Sequence, residues 1–196
     1  MQASVEFLFD FVSAPSALAW MSLPQLVHQA GARLVLTPVV VTGIFKATGN
    51  IAPLNLPAKM EWLRRDLPRW AGKRGVVMHP NPRLPFRSLP YLRGCLLAQE
   101  RAEELRFIQA VFEAAFVRGE DMDDLQTVAR LLQGAGLDPQ AYLQGIERQD
   151  IKDKLRRNTD EAVARKVFGV PTFFVNGELF FGQDRIEFVI EALQGR

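Results

Sequence analysis

The sequence is poor in the residues that usually carry redox and acid–base chemistry. Among its 196 residues it has one cysteine, Cys95, and two histidines, His28 and His79. A single cysteine excludes an internal disulfide and the dithiol pair that disulfide exchange requires. Neither histidine stands in a recognisable catalytic triad signature, and no Gly-x-Ser-x-Gly motif is present, so we do not expect a serine hydrolase.

Net charge and long apolar runs are also scarce. The formal net charge is +2, and the basic residues cluster only locally. This argues against a nucleic-acid or membrane-surface partner, and we interpret the basic residues between 64 and 74 as the solvated side of a helix. There is no run of about 18 apolar residues, so no transmembrane helix is expected. The N-terminus has no basic segment followed by an apolar stretch, which predicts that there is no signal peptide. We therefore expect a soluble, cytoplasmic protein.

A regular order of secondary structure is present at both ends of the chain. Val5–Phe11 and Arg33–Val41 have the pattern of buried strands, and Ser16–Ala30 between them has that of a helix kinked at Pro24. A strand, a crossover helix and a second strand form a parallel βαβ unit. The C-terminal end has a hairpin and a helix: strands Thr172–Val175 and Glu178–Phe181 around Asn176-Gly177, then helix Ile186–Leu193.

The middle of the chain shows helical patterns and no strand pattern. The order βαβ, helices, ββα predicts an α/β protein with a thioredoxin-like fold and an all-helical domain inserted in its middle. We place the thioredoxin-like domain at residues 1–41 plus 158–196 and the inserted helical domain at residues 42–157. The helical segments are predicted at Ala58–Trp70, Leu89–Val117, Asp123–Gln133, Asp138–Glu147 and Ile151–Phe168.

The turn Ser13-Ala14-Pro15-Ser16 joins the first strand to the first helix. Redox proteins often carry Cys-x-x-Cys at such a turn, and here both cysteine positions hold serine. Ser13 suits a helix N-cap, and serine is a poor nucleophile without a base. Its hydroxyl, with the positive end of the helix, can instead stabilise the thiolate of a bound thiol. A charge-assisted hydrogen bond of about 1.5–3 kcal/mol supplies much of what lowers a thiol pKa from about 8.5 to about 6.5.

Two motifs together point to a family. They are F-D-F-V-S-A-P-S at residues 9–16 and K-V-F-G-V-P-T-F-F at residues 166–174, and a short hairpin separates the second from G-Q-D-R at residues 182–185. In this combination the chain resembles, over essentially its whole length, the kappa-class glutathione transferases and the 2-hydroxychromene-2-carboxylate isomerases. Both belong to the DsbA-like branch of the thioredoxin fold. The resemblance implies an enzyme that uses glutathione, acts on a small aromatic molecule and forms a homodimer. It implies no metal.

The resemblance also implies a glutathione site. Ser13 would be the catalytic residue that stabilises the thiolate. A cis peptide bond before Pro171 would expose the Val170 backbone to the cysteinyl part of the ligand, whereas the plain alternative is a trans proline that opens an edge strand. Gln183 and Asp184 would bind the γ-glutamyl end, although Asp184 also suits the start of a helix.

The remaining implied contacts lie at the start of the helical region. Asn50 and Lys59 would bind the glycyl end of glutathione, although their plain interpretations are a turn residue and a solvated side chain. Lys46 and Asn55 are candidates to hold an acidic second substrate between the Ser13 turn and the helical region. Two further candidates for that substrate are Arg83 and Arg87.

Three functions follow as hypotheses. The first is a glutathione-dependent isomerase of the 2-hydroxychromene-2-carboxylate type, in which the thiolate adds to an unsaturated aromatic acid and then leaves. The second is a kappa-class transferase that releases the conjugate. The third is a thioredoxin-like module that only docks peptides. The same residues form the adduct in both enzymes, so the sequence does not separate them.

Overall fold

The computed structural model describes residues 2–79 and 81–195. Its elements follow the predicted order, with strands near both ends of the chain and helices between them. They are β1 (Ser4–Phe9), α1 (Ala14–Trp20), α2 (Leu23–Gln29), β2 (Arg33–Pro38), α3 (Val41–Thr48), α4 (Pro57–Arg74), α5 (Leu89–Glu100), α6 (Glu104–Phe116), α7 (Leu125–Gly134), α8 (Pro139–Gly145), α9 (Gln149–Ala164), β3 (Thr172–Val175), β4 (Glu178–Phe181) and α10 (Ile186–Leu193), with short 3₁₀ helices at Pro53–Asn55 and Gln183–Arg185.

The four strands form one mixed sheet in the order β2-β1-β3-β4. β1 pairs with β2 in parallel and with β3 antiparallel, and β3 pairs antiparallel with β4. Asn176 and Gly177 both have positive φ, at 50° and 86°, as the predicted two-residue hairpin turn requires. This topology confirms the predicted thioredoxin-like fold.

Side chains on the two faces of β1 enter two different hydrophobic clusters. Phe7 and Phe9 lie in the main cluster, whereas Leu8 lies in a smaller cluster with residues of α3, α9 and β3. The main cluster joins the sheet to the helical region, since it contains both Phe9 and Phe112 of α6. The predicted division at residues 157 and 158 falls inside α9, and the two-domain assignment stays a prediction.

The prediction of one kinked helix over Ser16–Ala30 is wrong. The chain leaves α1 after Trp20 and begins a separate helix at Leu23, so that Pro24 occupies the first turn of α2. Proline is tolerated there because the first N–H groups of a helix have no intrahelical acceptor. The predicted segment Leu89–Val117 likewise divides into α5 and α6, around Ala102 with its φ of 55°.

The buried carboxylate of Asp10 connects segments at one end of the sheet. Asp10, directly after β1, is 1% exposed. Its Oδ1 accepts the Val12 N–H at 3.2 Å, and its Oδ2 accepts the Val41 N–H at the start of α3 at 3.0 Å. The Ser88 side chain, at the N-cap of α5, also acts on this carboxyl group and lowers its pKa. Burial raises the pKa of this carboxyl group against the opposing effect of these hydrogen bonds.

Replacement of Phe11 should lower the stability of the whole chain. Phe11 is fully buried and its ring lies 4.9 Å from that of Phe112 and 6.1 Å from that of Phe107, between ring centroids. Phe11→Ala should therefore reduce the free energy of unfolding by about 3–5 kcal/mol. The control Phe188→Ala, at a ring that is 52% exposed, should cost far less. Urea unfolding followed by circular dichroism measures both, and a loss below about 1 kcal/mol for Phe11→Ala would contradict the packing.

Replacement of Asp10 should change how stability depends on pH. Because the pKa of Asp10 is raised above its ordinary 3.8, the folded chain holds this proton more tightly than the unfolded chain does. The contribution of Asp10 to stability is the free energy of unfolding of the wild type minus that of Asp10→Asn. This difference should decrease as the pH rises from 3.8 through the raised pKa. Urea unfolding at a series of pH values tests this. The exposed Asp160→Asn variant controls for loss of one negative charge, and a difference that rises with pH contradicts the assignment.

Candidate functional site

The Ser13 turn is a capped helix start. Ser13 is the N-cap of α1, and its Oγ accepts the Ser16 N–H at 3.2 Å. Its own N–H donates to the Asp10 carbonyl at 3.0 Å, so the turn is tied to the end of β1. Pro15 occupies the first turn of α1, where its missing N–H costs nothing. The capping role and a role toward a ligand use different parts of the hydroxyl, since the cap takes a lone pair and leaves the O–H hydrogen available.

The loop before β3 faces this turn. The Val170–Pro171 peptide bond is cis, as the resemblance implies. The Ser13 hydroxyl lies 3.5 Å from the Val170 carbonyl oxygen. That distance is long for an O–H···O hydrogen bond, so the hydroxyl loses little hydrogen-bond energy when it turns toward another acceptor. The Pro171 carbonyl accepts the Gly182 N–H at 3.0 Å, which holds the segment after β4 against the same loop.

A cavity of about 980 Å³ opens between the Ser13 turn and the helical region. This is the place predicted for the second substrate, and the volume is at the upper end of the range for small-molecule sites. Most of its lining is apolar, and among the described residues the charged lining side chains are all basic. The apolar part includes Pro15, Phe45, Leu63, Met78, Phe86 and Phe181, and the basic part is Lys59, Arg64, Arg87 and Arg93.

Asn50 and Lys59, predicted to bind the glycyl end of a ligand, both line this cavity. Gly49 ends α3 with a φ of 72°, and this left-handed residue turns the chain so that Asn50 faces the loop before β3. The Asn50 Nδ2 donates to the Phe168 carbonyl at 2.7 Å, and its Oδ1 accepts the Ile51 N–H at 2.8 Å. Lys59 lies in the first turn of α4 with an exposed side chain.

The candidates for the second substrate are divided by the structure. Lys46 and Asn55 are exposed, and the cavity lining includes their neighbours Phe45 and Leu54 instead. Arg83 forms an exposed ion pair with Asp121 at 2.7 Å. The remaining candidate, Arg87, does line the cavity, and its Nε lies 3.2 Å from the Asp123 carboxylate.

Gln183 and Asp184 lie in the short helix after β4, which contacts α1, and neither residue lines the cavity. Gly182 has a φ of 107°, and a Cβ there would lie only 2.5 Å from the Asp184 carboxylate, so this position needs glycine. The Asp184 carboxylate pairs with Arg185 at 3.0 Å. Gln183 is 6% exposed, its backbone carbonyl accepts a hydrogen bond from Arg74, and its Oε1 has no hydrogen-bond partner within the described residues.

Two residues of the site were missed by sequence reasoning. The acidic residue at the end of an apolar strand, in F-D-F, was a signal that Asp10 is buried and hydrogen-bonded. Arg93 gave no comparable signal, because its place on the cavity wall depends on how α5 is rotated against the sheet.

Three further properties of the described residues concern the cysteine, metal binding and membrane-spanning helices. Cys95 is fully buried in α5, and burial raises the pKa of its thiol far above the ordinary value. Within residues 2–79 and 81–195, no three His, Cys, Asp or Glu side chains are grouped so as to hold a metal ion. Over the same residues, none of the helices is both long enough and apolar enough to span a membrane.

Comparison with known proteins agrees with this fold. A family described as the DSBA-like thioredoxin domain matches residues 4–194. A 2-hydroxychromene-2-carboxylate isomerase from Pseudomonas putida is 30% identical, over 98% of this chain and 94% of that protein. Glutathione S-transferase kappa 1 from Caenorhabditis elegans is 25% identical, over 97% of this chain and 90% of that one.

A solved structure of 2-hydroxychromene-2-carboxylate isomerase superposes with a TM-score of 0.88 at 28% identity, and the match covers 98% of this chain and 95% of the other. The similarity therefore extends through the helical region as well as the sheet. The chain belongs to the DsbA-like thioredoxin family, among the relatives that include the 2-hydroxychromene-2-carboxylate isomerases and the kappa-class glutathione transferases.

Proposed function

We propose that the protein is a glutathione-dependent isomerase that acts on an unsaturated aromatic acid of the 2-hydroxychromene-2-carboxylate type. The observation that carries this proposal is the placement of the Ser13 hydroxyl on the wall of a large, mostly apolar cavity, beside the cis Val170–Pro171 bond. No cysteine occupies the turn, so the sulfur must come with a ligand. The names of the relatives are consistent with both parts of the proposal.

The residues present fit glutathione. The Gln183 Oε1 is buried without a hydrogen-bond partner in the described part of the chain, and a buried acceptor of this kind is normally satisfied. The ammonium of a γ-glutamyl group is a donor suited to this oxygen and to the nearby Asp184 carboxylate. Asn50 and Lys59 offer an amide and an ammonium to the carboxylate at the other end. The cavity has room for a tripeptide and a second molecule.

The chain's residues have separate tasks in this proposal. Glutathione, when bound, supplies the sulfur that adds to the unsaturated carbon and later leaves. Ser13 donates its hydroxyl hydrogen to the thiolate while its lone pair keeps the Ser16 N–H satisfied. The basic lining of the cavity favours negative charge on the ligand thiol and so lowers its pKa. Asp10 holds the turn against the start of α3, and both segments line the cavity.

The alternative enzyme is a kappa-class transferase, in which the same residues stabilise the thiolate and the conjugate is released. The docking-module alternative has less support, since a groove for an extended peptide does not require a cavity of about 980 Å³. The proposal also includes a homodimeric state, which the family resemblance implies, and a cytoplasmic location, which was predicted from the sequence.

Removal of the Ser13 hydroxyl should weaken the acidity of bound glutathione. Loss of one charge-assisted hydrogen bond in Ser13→Ala should raise the pKa of the bound thiol by about 1 to 2 pH units. The thiolate absorbance of glutathione, titrated against the wild type and the variant over a range of pH, measures this directly. Absence of a bound thiolate in the wild type at millimolar glutathione would refute both enzymes and leave the docking module.

Two control variants separate this effect from helix capping. Ser16→Ala removes a neighbouring hydroxyl whose Oγ is buried without a partner among the described residues, and should leave the bound pKa unchanged. Asp124→Ala removes the N-cap of α7, where Asp124 accepts the Gln126 and Thr127 N–H groups. It should lower stability by about 1 kcal/mol without an effect on glutathione.

The product distinguishes the isomerase from the transferase. The protein is incubated with an α,β-unsaturated aromatic acid and a small, fixed amount of glutathione, and products are separated by chromatography and mass spectrometry. The isomerase should convert many equivalents of substrate to an isomer of the same mass while glutathione is recovered unchanged. Accumulation of a species heavier by one glutathione, with consumption of glutathione in equal amount, would instead establish the transferase.

A further inference from the structure

The basic side chains of the cavity wall differ in their exposure to solvent. Lys59 and Arg64 are exposed, and 80% of the Arg87 side-chain surface is accessible, whereas the Arg93 side chain is only 23% exposed. A charge in the less polar environment interacts more strongly with a ligand charge, because water screens it less. Arg93 is therefore the lining cation whose interaction with a bound anion should be strongest.

The hydrogen bonding of Arg93 is incomplete. Its Nε is buried and has no partner within residues 2–79 and 81–195. Its Nη1 lies 3.6 Å from the Glu147 carboxylate, beyond hydrogen-bond distance, and Glu147 is held at 2.6 Å by Lys152. A guanidinium carries five N–H donors in a planar fork, and a buried donor without an acceptor is unfavourable. The Nε is out of a ligand's reach, but the terminal nitrogens are not fully buried, and the weak ion pair at Nη1 leaves them able to take a carboxylate.

The surroundings of Arg93 define what else the ligand must be. Arg93 lies on α5 one turn after Leu89 and Pro90, which line the same cavity. The cavity is mostly apolar, and Phe45 and Phe86 contribute aromatic surface. A planar carboxylate satisfies the fork of a guanidinium, and an aromatic body suits the rest of the wall.

We propose that Arg93 recognises the carboxylate of the second substrate, so that the cavity selects aryl acids over neutral molecules of the same shape. This inference rests on the proposed function for the reaction, and it names a residue of this chain that decides which substrates enter. Arg93 takes the part that sequence reasoning gave to Lys46 and Asn55, which the cavity lining does not include.

The test measures binding without glutathione. Trans-cinnamate and cinnamamide share one shape and differ in charge, and their binding to the protein is followed by isothermal titration calorimetry. The wild type should bind cinnamate more tightly than cinnamamide. Arg93→Gln should lower the affinity for cinnamate by about 10- to 100-fold and the affinity for cinnamamide by less than about twofold. Arg93→Lys, which keeps the charge and loses the fork, should give an intermediate value.

Two matched variants separate recognition by Arg93 from a general effect of charge. Arg69→Gln removes the same charge from an exposed position on α4 and should leave both affinities unchanged. Glu147→Gln removes the acidic neighbour of Arg93, and should leave cinnamate binding equal or tighter. Three results would overturn the assignment. The wild type could bind both compounds equally, Arg93→Gln could lose affinity for both equally, or Arg69→Gln could lose as much affinity for cinnamate as Arg93→Gln does. If Arg93→Gln does not fold, Arg93→Lys tests the assignment instead. Its affinity for cinnamate should lie below that of the wild type, and an unchanged affinity would overturn the assignment.

The outcome is independent of the glutathione experiment. A bound thiolate in the wild type together with no preference for cinnamate would refute the role of Arg93 and leave the proposed function standing. A preference for cinnamate that depends on Arg93, without a bound thiolate, would show an aryl-acid site in a protein that does not use glutathione.

Discussion

The buried carboxylate of Asp10 is the interaction on which the shape of the site depends. It hydrogen-bonds the turn after β1 and the start of α3, and Ser88 at the start of α5 lowers its pKa; all three segments line the cavity. A buried charge is unfavourable unless hydrogen bonds compensate for it, and the bond from Val41 comes from a segment distant in sequence. The sheet supports this arrangement, because Phe7 and Phe9 of the strand that ends just before Asp10 pack into the main core.

The Ser13 turn illustrates how one local structure can serve different chemistry. A helix start that exposes a hydroxyl instead of a thiol keeps its backbone geometry, its cap and its cis-proline neighbour. What changes is the origin of the sulfur. A protein-bound thiol needs a partner thiol and a redox couple, whereas a ligand thiol needs a binding site and a stabilised charge. In the proposed function, the large cavity and its basic lining meet those two requirements beside the turn.

The fold was predictable to a large extent because its signals are local. Alternating apolar strands, the Asn176-Gly177 turn and the helical periodicity of the middle segment each lie within a few residues, and they gave the right topology. The position of Ser13 on the cavity wall and the cis bond before Pro171 could be predicted, because each lies in a recognisable motif. It was not predictable where packing decides: the rotation of α5 that brings Arg93 to the cavity, and the end of α3 that leaves Lys46 outside it, depend on contacts between distant segments.

The burial of Cys95 bears on how such a protein would behave in a cell. Its side chain has no exposed surface, and the raised pKa keeps it protonated. Thiol–disulfide exchange requires an accessible thiolate, so oxidised glutathione has no sulfur here with which to form a mixed disulfide. In the proposed function the nucleophile is borrowed from a ligand, so the activity would follow the amount of reduced glutathione, while burial shields the Cys95 thiol from oxidants that modify exposed cysteines.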